Sequence, residues 1–280
     1  MKNKHKQYFW RILKVGLIII AIFLLILAIY YSLVYASRGL EVVFLDVGQG
    51  DSSLIKTPAG QVVLIDGGPD NRVLRELGKN LPFQHRRLDF LILSHYHDDH
   101  FVGLIETIKR YRVGTLIYSG KDVDSPLMSE LLDTAFKYKV ELRILDNQAK
   151  LSFGPDCALA LLNPAVLAVK DDPNNSLVAK LDCRARTFLF AGDNGVAVEG
   201  KLLASGWPVN ADVFKASHHG SNTSNSLPFL EKISPRLIVV SVGENNRFGH
   251  PGIFFLERAE ALNIPIKRTD QDGEVKFFVK

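Results

Sequence analysis

The chain has 280 residues, of which 47% are hydrophobic and 23% are charged. This length and composition predict one domain with a large hydrophobic core plus an appendage. The 34 basic and 30 acidic residues give a net charge of +4, but five of the basic residues lie within the first 14 positions. After residue 14, 29 basic residues stand against 30 acidic ones. That balance argues against the broad basic surface typical of nucleic-acid-binding proteins, although clusters such as Lys109-Arg110-Arg112 would form a local basic patch.

The first segment differs from the rest because residues 15–36 contain 22 positions without a charge. A helix of this length measures about 33 Å at roughly 1.5 Å per residue, enough to cross a hydrocarbon core of about 30 Å. Basic residues precede the run and only Arg38 closely follows it, so the positive-inside rule predicts a cytoplasmic tail at 1–14, a single-pass anchor in the cell membrane at 15–36, and an extracytoplasmic domain at 40–280. A cleaved signal peptide ending at Ala36 is the alternative, but its apolar region is usually only about 7–15 residues long.

From residue 40 onward, short β-rich runs alternate with amphipathic helical windows. The predicted strands are LEVVFLDV, SSLIKT, QVVLIDGG, LDFLILSH, VGTLIYSG, ELRILD, CALALLNP, SLVAKLDC, RTFLFAGD, ADVFKAS, RLIVVSVG and EVKFFVK. The predicted helices lie near 70–80, 99–111, 126–139, 196–205, 227–233 and 253–262. Tight turns such as Arg184-Ala185 indicate antiparallel hairpins next to βα units. The pattern therefore predicts a layered α+β domain.

The two cysteines, Cys157 and Cys183, are too few for a disulfide framework. Both fall in apolar, strand-like runs, which predicts buried free thiols rather than metal ligands or a bridge. An outward-facing domain would permit a disulfide, so that alternative stays open.

Several polar runs follow directly after predicted strands. They are Asp46 to Asp51, Asp66 to Gly68, His95 to His100, Asp193, His218-His219, and Asn245 to His250. Because the ends of strands can meet at one edge of a packed sheet pair, we expect these loops to carry the functional site.

The densest of these runs, SHYHDDH, contains three histidines and two aspartates after an apolar strand. Core packing does not require such a concentration. In a tight loop, His95 and His97 can reach one metal ion while Asp99 and His100 reach a second one. Asp193 is the candidate carboxylate that bridges the two cations. Imidazole and carboxylate ligands suit zinc, manganese or iron.

The run SHYHDDH resembles the H-x-H-x-D-H signature of the metallo-β-lactamase superfamily, and LIDGG, FAGD and SHHGS follow the order expected for that superfamily. DVGQGDS at 46–52, NNSLV at 174–178, FKASHHGS at 214–221 and SVGENNRFGHP at 241–251 resemble the C-terminal hydrolase domain of ComEC-type competence proteins. The resemblance covers about residues 40–280. It implies a four-layer αββα sandwich and a hydrolase with two divalent metal ions, zinc or alternatively manganese.

The resemblance also implies roles for single residues. The implied metal ligands are His95 and His97 for the first ion, Asp99, His100 and His219 for the second, and Asp193 between them. We place His218 as a phosphate contact, although the roles of the two adjacent histidines could be exchanged. Asp66 resembles the carboxylate that orients a metal-binding loop, a role with its own physical basis.

One departure from the superfamily pattern concerns the first metal. No histidine lies between His100 and His218, where the wider superfamily supplies a third ligand, and residues 172–176 occupy the corresponding region. Activity as a β-lactamase is therefore not expected. Whether both metal positions fill stays open.

Two cations that share a hydroxide would provide a nucleophile near neutral pH and neutralise charge on phosphoryl oxygens. In this hypothesis Asp99 and Asp193 hold the metals, while His218, His250 and Asn246 donate hydrogen bonds to the phosphate. The alternative for the last two residues is a structural turn before the helix at 253–262. Asp51, in DVGQGDS, would orient a ligand or substrate, although the glycines of that loop also suit an ordinary hairpin.

Three functions remain open from the sequence. The leading one is a membrane-anchored phosphodiesterase or nuclease acting on DNA or RNA. The second is an esterase of cell-envelope phosphodiesters, such as phosphorylcholine on teichoic acid. The third, from another class, is a metal-binding module without catalysis.

Overall fold

The computed structural model describes residues 2–37, 39–120, 125–163 and 175–280. The helices in these residues are α1 (Lys2–Ser37), α2 (Arg72–Asn80), α3 (Asp98–Arg110), α4 (Pro126–Lys137), α5 (Val196–Ser205), α6 (Leu227–Ile233), α7 (Ile253–Ala261) and α8 (Thr269–Asp272). The strands are β1 (Leu40–Phe44), β2 (Ser53–Lys56), β3 (Val62–Ile65), β4 (Arg87–Ile92), β5 (Arg112–Tyr118), β6 (Glu141–Ile144), β7 (Gln148–Ser152), β8 (Cys157–Leu162), β9 (Val178–Cys183), β10 (Arg186–Phe190), β11 (Val213–Lys215), β12 (Leu237–Val240), β13 (Ile266–Arg268) and β14 (Val275–Val279).

The strands form two seven-stranded sheets, ordered β14-β1-β2-β3-β4-β5-β6 and β13-β12-β11-β10-β9-β8-β7. In the first sheet β14, β1, β2 and β3 pair antiparallel, whereas β3 to β6 run parallel. The second sheet repeats this division, with β7 to β10 antiparallel and β10 to β13 parallel. Each predicted helical window contains a helix, while β7 and β13 were not predicted.

The domain has four layers, two sheets between two layers of helices, and a hydrophobic cluster fills each of the three spaces between them. Phe44, Phe188 and their neighbours fill the space between the two sheets. Leu91 and other buried side chains of the first sheet pack against α2, α3 and α4. Phe214 and its neighbours join the second sheet to α5, α6 and α7. The predicted αββα sandwich is confirmed.

The expectation of free thiols is wrong, because Cys157 and Cys183 form a disulfide. The two residues are direct partners in the antiparallel pairing of β8 and β9. Both are buried, at 3% and 0% exposure, and belong to the cluster between the sheets. Direct cross-strand partners on one face lie close enough to be bridged.

The amino-terminal helix α1 contains one stretch, Trp10–Tyr30, that is long and apolar enough to cross a membrane. This finding rests on length and composition alone. The stretch overlaps the predicted anchor at 15–36, which stays a prediction.

Parallel strands of both sheets deliver their carboxyl-terminal loops to one edge of the sandwich. Helix α3 starts at this edge and lies very close to the loop after β3. A Cβ on Gly103 would come within 2.0 Å of the Gly67 carbonyl oxygen, so only glycine permits this approach. The close contact fixes the beginning of α3, and with it the run from His95 to His100, against the neighbouring strand end.

Candidate metal centre

The run from His95 to His100 links the end of β4 to the first turn of α3. His95 and His100 are fully buried, whereas His97 is half-buried and lies at the N-cap position of the helix. Asp98 and Asp99 occupy the first turn, where the helix dipole stabilises negative charge. The polar side chains of this run therefore lie at the start of a helix, where negatively charged residues are stabilised.

Asp193 lies at the centre of the cluster, in the loop between β10 and α5. Its Oδ1 is 3.4 Å from His100 Nε2, and its Oδ2 is 3.7 Å from His95 Nε2. The same Oδ2 is 3.8 Å from His219 Nε2 and 3.8 Å from His218 Nε2. One carboxylate thus faces histidines from both sheets.

The adjacent histidines after β11 have different environments. His219 is buried, and its Nδ1 donates a hydrogen bond of 2.9 Å to the Ser241 carbonyl oxygen. That bond places a proton on Nδ1 and makes Nε2, which lies 3.2 Å from Asp99 Oδ2, the nitrogen available to a metal ion. His218 has 28% of its side chain exposed. The geometry favours His219 over His218 as a ligand.

Asp66 orients the imidazole of His100. It lies in the loop after β3, where its φ is 58°. Its Oδ2 lies 2.9 Å from His100 Nδ1 and accepts a 2.7 Å hydrogen bond from the Ser94 hydroxyl. The Ser94 backbone N–H donates to the other oxygen at 2.8 Å. Because Nδ1 of His100 is occupied by this carboxylate, its Nε2 points toward Asp193.

The donor atoms of this cluster fit divalent metal ions. Nε2 of His95, His100 and His219 and Oδ1 of Asp193 are buried and have no hydrogen-bond partner. Buried polar atoms are almost always hydrogen-bonded, so four such atoms in one place indicate ligand positions. His95, His100 and Asp193 offer atoms within 4.8 Å of one another, as do Asp99, His100 and His219. Mixed nitrogen and oxygen donors suit zinc, manganese or iron.

His97 lies beside these groups, with its ring centroid 4.5 Å from that of His95. His97 is not among the described residues whose donor atoms lie within 4.8 Å of one another, so its role as a ligand of the first metal stays a prediction. Of the residues 172–176, 172–174 fall outside the described part of the chain. Ser176 is described, and its hydroxyl accepts a 2.8 Å hydrogen bond from the Asp193 backbone N–H. This segment thus supports the loop that carries the central carboxylate.

Carboxylates and imidazoles in the cluster shift one another's pKa values. Burial disfavours the charged forms of Asp193 and His100, but their mutual attraction outweighs it, so the pKa of Asp193 lies well below its usual value and that of His100 well above. For His95, burial and then the charge of His100 lower the pKa well below its usual value. Burial opposes the charged form of His219, yet Asp193 and then Asp51 raise its pKa to about 9. Bound cations would replace these protons.

A buried ion pair between Lys215 and Asp51 lies beneath the cluster and was missed by sequence reasoning. Asp51 also has its Oδ1 3.3 Å from His219 Nδ1, and its backbone N–H donates to the Asp99 carbonyl oxygen at 3.1 Å. Both residues of the pair are at least 95% buried. The sequence did carry a sign of this pair, because Lys215 is the only charged residue in the buried strand β11.

The loop from 241 to 251 brings His250 to the open side of the cluster. Its ring centroid is 5.5 Å from that of His218. Burial and then the charges of His219 and His218 lower the pKa of His250 to about 4. His250 is therefore a neutral imidazole at pH 7.

Asn246 serves this loop rather than the open side of the cluster. Its Nδ2 donates to the carbonyl oxygens of Gly243 at 3.1 Å and His250 at 2.7 Å, and its Oδ1 accepts from the His250 backbone N–H at 2.9 Å. Both amide hydrogens and the oxygen are thus used within the loop. This placement favours the structural alternative for Asn246.

Comparisons with known proteins agree with the fold. The metallo-beta-lactamase superfamily model matches residues 45–243. ComE operon protein 3 of Bacillus subtilis (strain 168) is 29% identical over 257 residues, covering 86% of this chain and 33% of that protein. Competence protein ComA of Neisseria gonorrhoeae is 31% identical over 234 residues, covering 83% of this chain and 31% of that protein. The chain therefore spans about a third of the length of these relatives.

Solved structures share the fold at low sequence identity. The metallo-beta-lactamase fold protein YhfI from Bacillus subtilis aligns with a TM-score of 0.56 at 14% identity, covering 85% of this chain and 99% of that one. Zinc-bound PqqB from Methylobacterium extorquens aligns with a TM-score of 0.52 at 12% identity, covering 85% and 99%. The predicted resemblance is confirmed, and the chain belongs to the metallo-β-lactamase superfamily of metal-dependent hydrolases.

Proposed function

We propose that this chain is a metal-dependent phosphodiesterase or nuclease anchored in the membrane. The observation that carries the proposal is that the buried Nε2 atoms of three histidines, His95, His100 and His219, lie 3.4–3.8 Å from the carboxylate oxygens of Asp193. His218 and His250 lie on the accessible side of that cluster, at 28% side-chain exposure and half-buried, respectively. A cation site that opens toward hydrogen-bond donors suits an anionic substrate.

In this proposal the metal ligands are His95, His97, Asp99, His100, Asp193 and His219, with Asp193 shared between two positions. The bound ions, zinc or alternatively manganese, would activate water and neutralise charge on the phosphoryl oxygens. Asp66 keeps His100 in the orientation that presents Nε2, through the 2.9 Å contact with Nδ1. The chain itself therefore fixes the donor geometry before any substrate arrives.

Charge balance supports two cations and an anionic substrate. Lys215 neutralises Asp51, which leaves Asp66, Asp99 and Asp193 as three carboxylates around the cluster. Two divalent ions would balance these three charges together with one hydroxide, so the site would not repel a phosphodiester anion. A single divalent ion would leave the site negative and would repel that anion.

In this proposal His218 and His250 contact the phosphate. His250, with its pKa lowered to about 4, acts as a neutral N–H donor at pH 7 and needs no change of protonation. Preorganised donors of this kind stabilise developing charge in the transition state. Removing one such donor typically lowers kcat by about 10²–10³-fold.

DNA or RNA is the substrate we favour, because the relatives that match more than four fifths of this chain at 29–31% identity include a competence protein. The chain is nearly neutral after residue 14, so it does not attract nucleic acid through a broad basic surface. We therefore expect a nucleic acid to be bound mainly through its phosphate at the metals. A phosphodiester of the cell envelope is the competing substrate. Hydrolysis of both classes by one preparation can be measured directly.

The location we propose is outside the cytoplasmic membrane, on a single-pass anchor. The apolar stretch of α1 and the basic residues before it support this topology. The disulfide between Cys157 and Cys183 also supports it, because such bonds persist mainly in oxidising compartments.

The proposal is tested with the full chain in detergent micelles by measuring metal content and hydrolysis of a bis-aryl phosphate, single-stranded DNA and RNA. We expect about two zinc or manganese ions per chain and a loss of at least about 10³-fold in kcat for Asp193→Asn, because the shared ligand loses its charge. Asp133→Asn, on the exposed face of α4, is the matched control and should keep its metals and activity. Equal activity in the two variants, or a wild type without metal, would refute the proposal.

A further inference from the structure

A second, basic cleft lies on the outer face of the second sheet, away from the metal centre. It has a volume of about 1000 Å³. Four basic and two acidic side chains line it: Lys150, Lys180, Arg184, Lys280, Asp156 and Asp182. The excess of positive charge is unexpected, because the chain after residue 14 is nearly neutral.

The strand register explains the shape of this cleft. Lys150 of β7 pairs with Ala160 of β8, and Ala160 pairs with Lys180 of β9. Neighbouring strands are about 4.8 Å apart, so the two lysines flank a floor of alanine at a separation of roughly 10 Å. The small side chains of Ala158 and Ala160 leave depth between them.

Lys180 is the strongest indication that this cleft binds an anion. It is 8% exposed, and its Nζ is held by Asn210 Oδ1 at 3.0 Å. Among the described residues, no carboxylate oxygen lies within 4.0 Å of that nitrogen. A buried ammonium without a carboxylate in ion-pair contact is costly. Asp182 in the same cleft attracts it only from a longer distance, and an anion in the cleft would relieve the remaining cost.

The position of the cleft indicates where the anion comes from. Lys280 at its edge follows Val279, which pairs with Leu40 at the start of β1. Leu40 comes three residues after Ser37, the end of α1. Three residues span at most about 11 Å, so the cleft lies at the end of the sandwich where the chain leaves the proposed anchor.

The metal centre lies at the opposite end of the same strands. Arg184, at the edge of the cleft, precedes β10, while Asp193 follows β10. The five residues of β10 span about 17 Å at roughly 3.4 Å per residue. Lys180 pairs with Leu189 near the carboxyl end of β10, but its Nζ reaches Asn210, which precedes β11 and so lies toward the end away from the metals. A ligand held by Arg184 and this ammonium group therefore does not compete with a substrate at the metals.

We infer that this cleft binds the phosphate-bearing headgroup of an anionic membrane lipid. The inference rests on the proposed anchoring but not on the hydrolytic activity. Clustered lysines and arginines next to a membrane are attracted to anionic headgroups. Binding there would hold the sandwich with its metal edge directed away from the bilayer.

The experiment is native mass spectrometry of the full chain in detergent with added phosphatidylglycerol, phosphatidylcholine or inorganic phosphate. Lys150→Gln/Lys180→Gln should retain phosphatidylglycerol at least tenfold less than the wild type. Lys201→Gln/Lys232→Gln removes the same charge from exposed positions of α5 and α6 and should retain it normally. If the buried Lys180 change prevents folding, the exposed single variant Lys150→Gln should still weaken retention severalfold.

Equal retention by the two double variants would overturn the inference, because lipid around α1 alone would then explain binding. Equal binding of phosphatidylcholine would also overturn it, since that lipid carries no net charge. Competition by millimolar inorganic phosphate as strong as that by the lipid would show that the cleft takes soluble phosphate instead. Hydrolysis of a bis-aryl phosphate should be unchanged in all variants. If the wild type does not hydrolyse this phosphate at all, the proposed function is wrong, but the lipid site is not affected.

Discussion

The two ends of the strands contrast sharply, although they belong to the same sandwich. At the carboxyl-terminal edge, buried nitrogens and oxygens of His95, His100, His219 and Asp193 lack hydrogen-bond partners. At the other end, the strands are joined by the Arg184-Ala185 hairpin and the nearby disulfide. One end is therefore costly without a ligand, while the other end carries the cross-link that stabilises the fold. The proposed function thus lies at one end of the strands and the covalent cross-link at the other.

The largest expected effect tests whether the metal edge also depends on charge pairing beneath it. Lys215→Met leaves Asp51 buried without its partner, which should cost about 3–5 kcal/mol of folding free energy. For a chain of this size, the thermal midpoint should fall by roughly 6–20 °C. Circular dichroism of the full chain in detergent measures it. Lys201→Met, an exposed lysine of α5, should change the midpoint little.

The double variant Asp51→Asn/Lys215→Met should recover part of this loss, because neither charge then remains alone. A pH series adds a second readout. Burial opposes the charged form of Asp51, but Lys215 and then His219 hold its pKa below the usual value. Its stabilising contribution is thus present above a pH of about 4 and is lost as the pH falls further. Equal midpoints for Lys215→Met and Lys201→Met would contradict the pairing.

The fold was predictable where each segment carries its own periodicity. The windows at 196–205 and 227–233 match α5 and α6 residue for residue. The missed strands β7 and β13 are the two edges of the second sheet, and their sequences QAKLS and IKR are short and polar. Pairing with a neighbour makes them strands, and that neighbour is not visible in the local pattern.

The site was predictable where its residues are neighbours in sequence. The run from His95 to His100 supplies several donors within six positions, so its density is visible. Lys215 stands out as a charge in an apolar strand, but its partner Asp51 is 164 residues away, so the pairing itself is not visible in the sequence. The disulfide was missed for the same reason, because only the register of β8 and β9 aligns its two cysteines.

The second expected effect concerns the opposite end. Cys157→Ala/Cys183→Ala removes a cross-link between residues 26 positions apart. Loop-closure entropy predicts a loss of about 3 kcal/mol, or roughly 6–12 °C in the thermal midpoint. Hydrolysis of a bis-aryl phosphate by the folded variant should stay within about twofold of the wild type, because β10 separates the disulfide from Asp193. A loss of activity without a loss of stability would break the division between the two ends.

The smallest expected effect sharpens the contrast with matched aromatic residues. Phe248 is 55% exposed, stacks on His250 with ring centroids 6.0 Å apart, and lies under Arg247 at 5.0 Å. Phe83 is 82% exposed and lies under Arg86 at the same 5.0 Å, but it precedes β4, whereas the metal-centre histidines follow that strand. The two phenylalanines thus share chemistry and differ in location.

Phe248→Ala should lower kcat by about 2–10-fold, because an aromatic contact contributes about 0.5–1.5 kcal/mol and here orients the His250 imidazole. KM should change less than kcat if the ring acts through His250 rather than on the substrate. Phe83→Ala should leave both values unchanged. Equal losses of kcat in the two variants would mean that exposed aromatic rings matter for stability alone, and His250 would then lose its proposed role beside the phosphate.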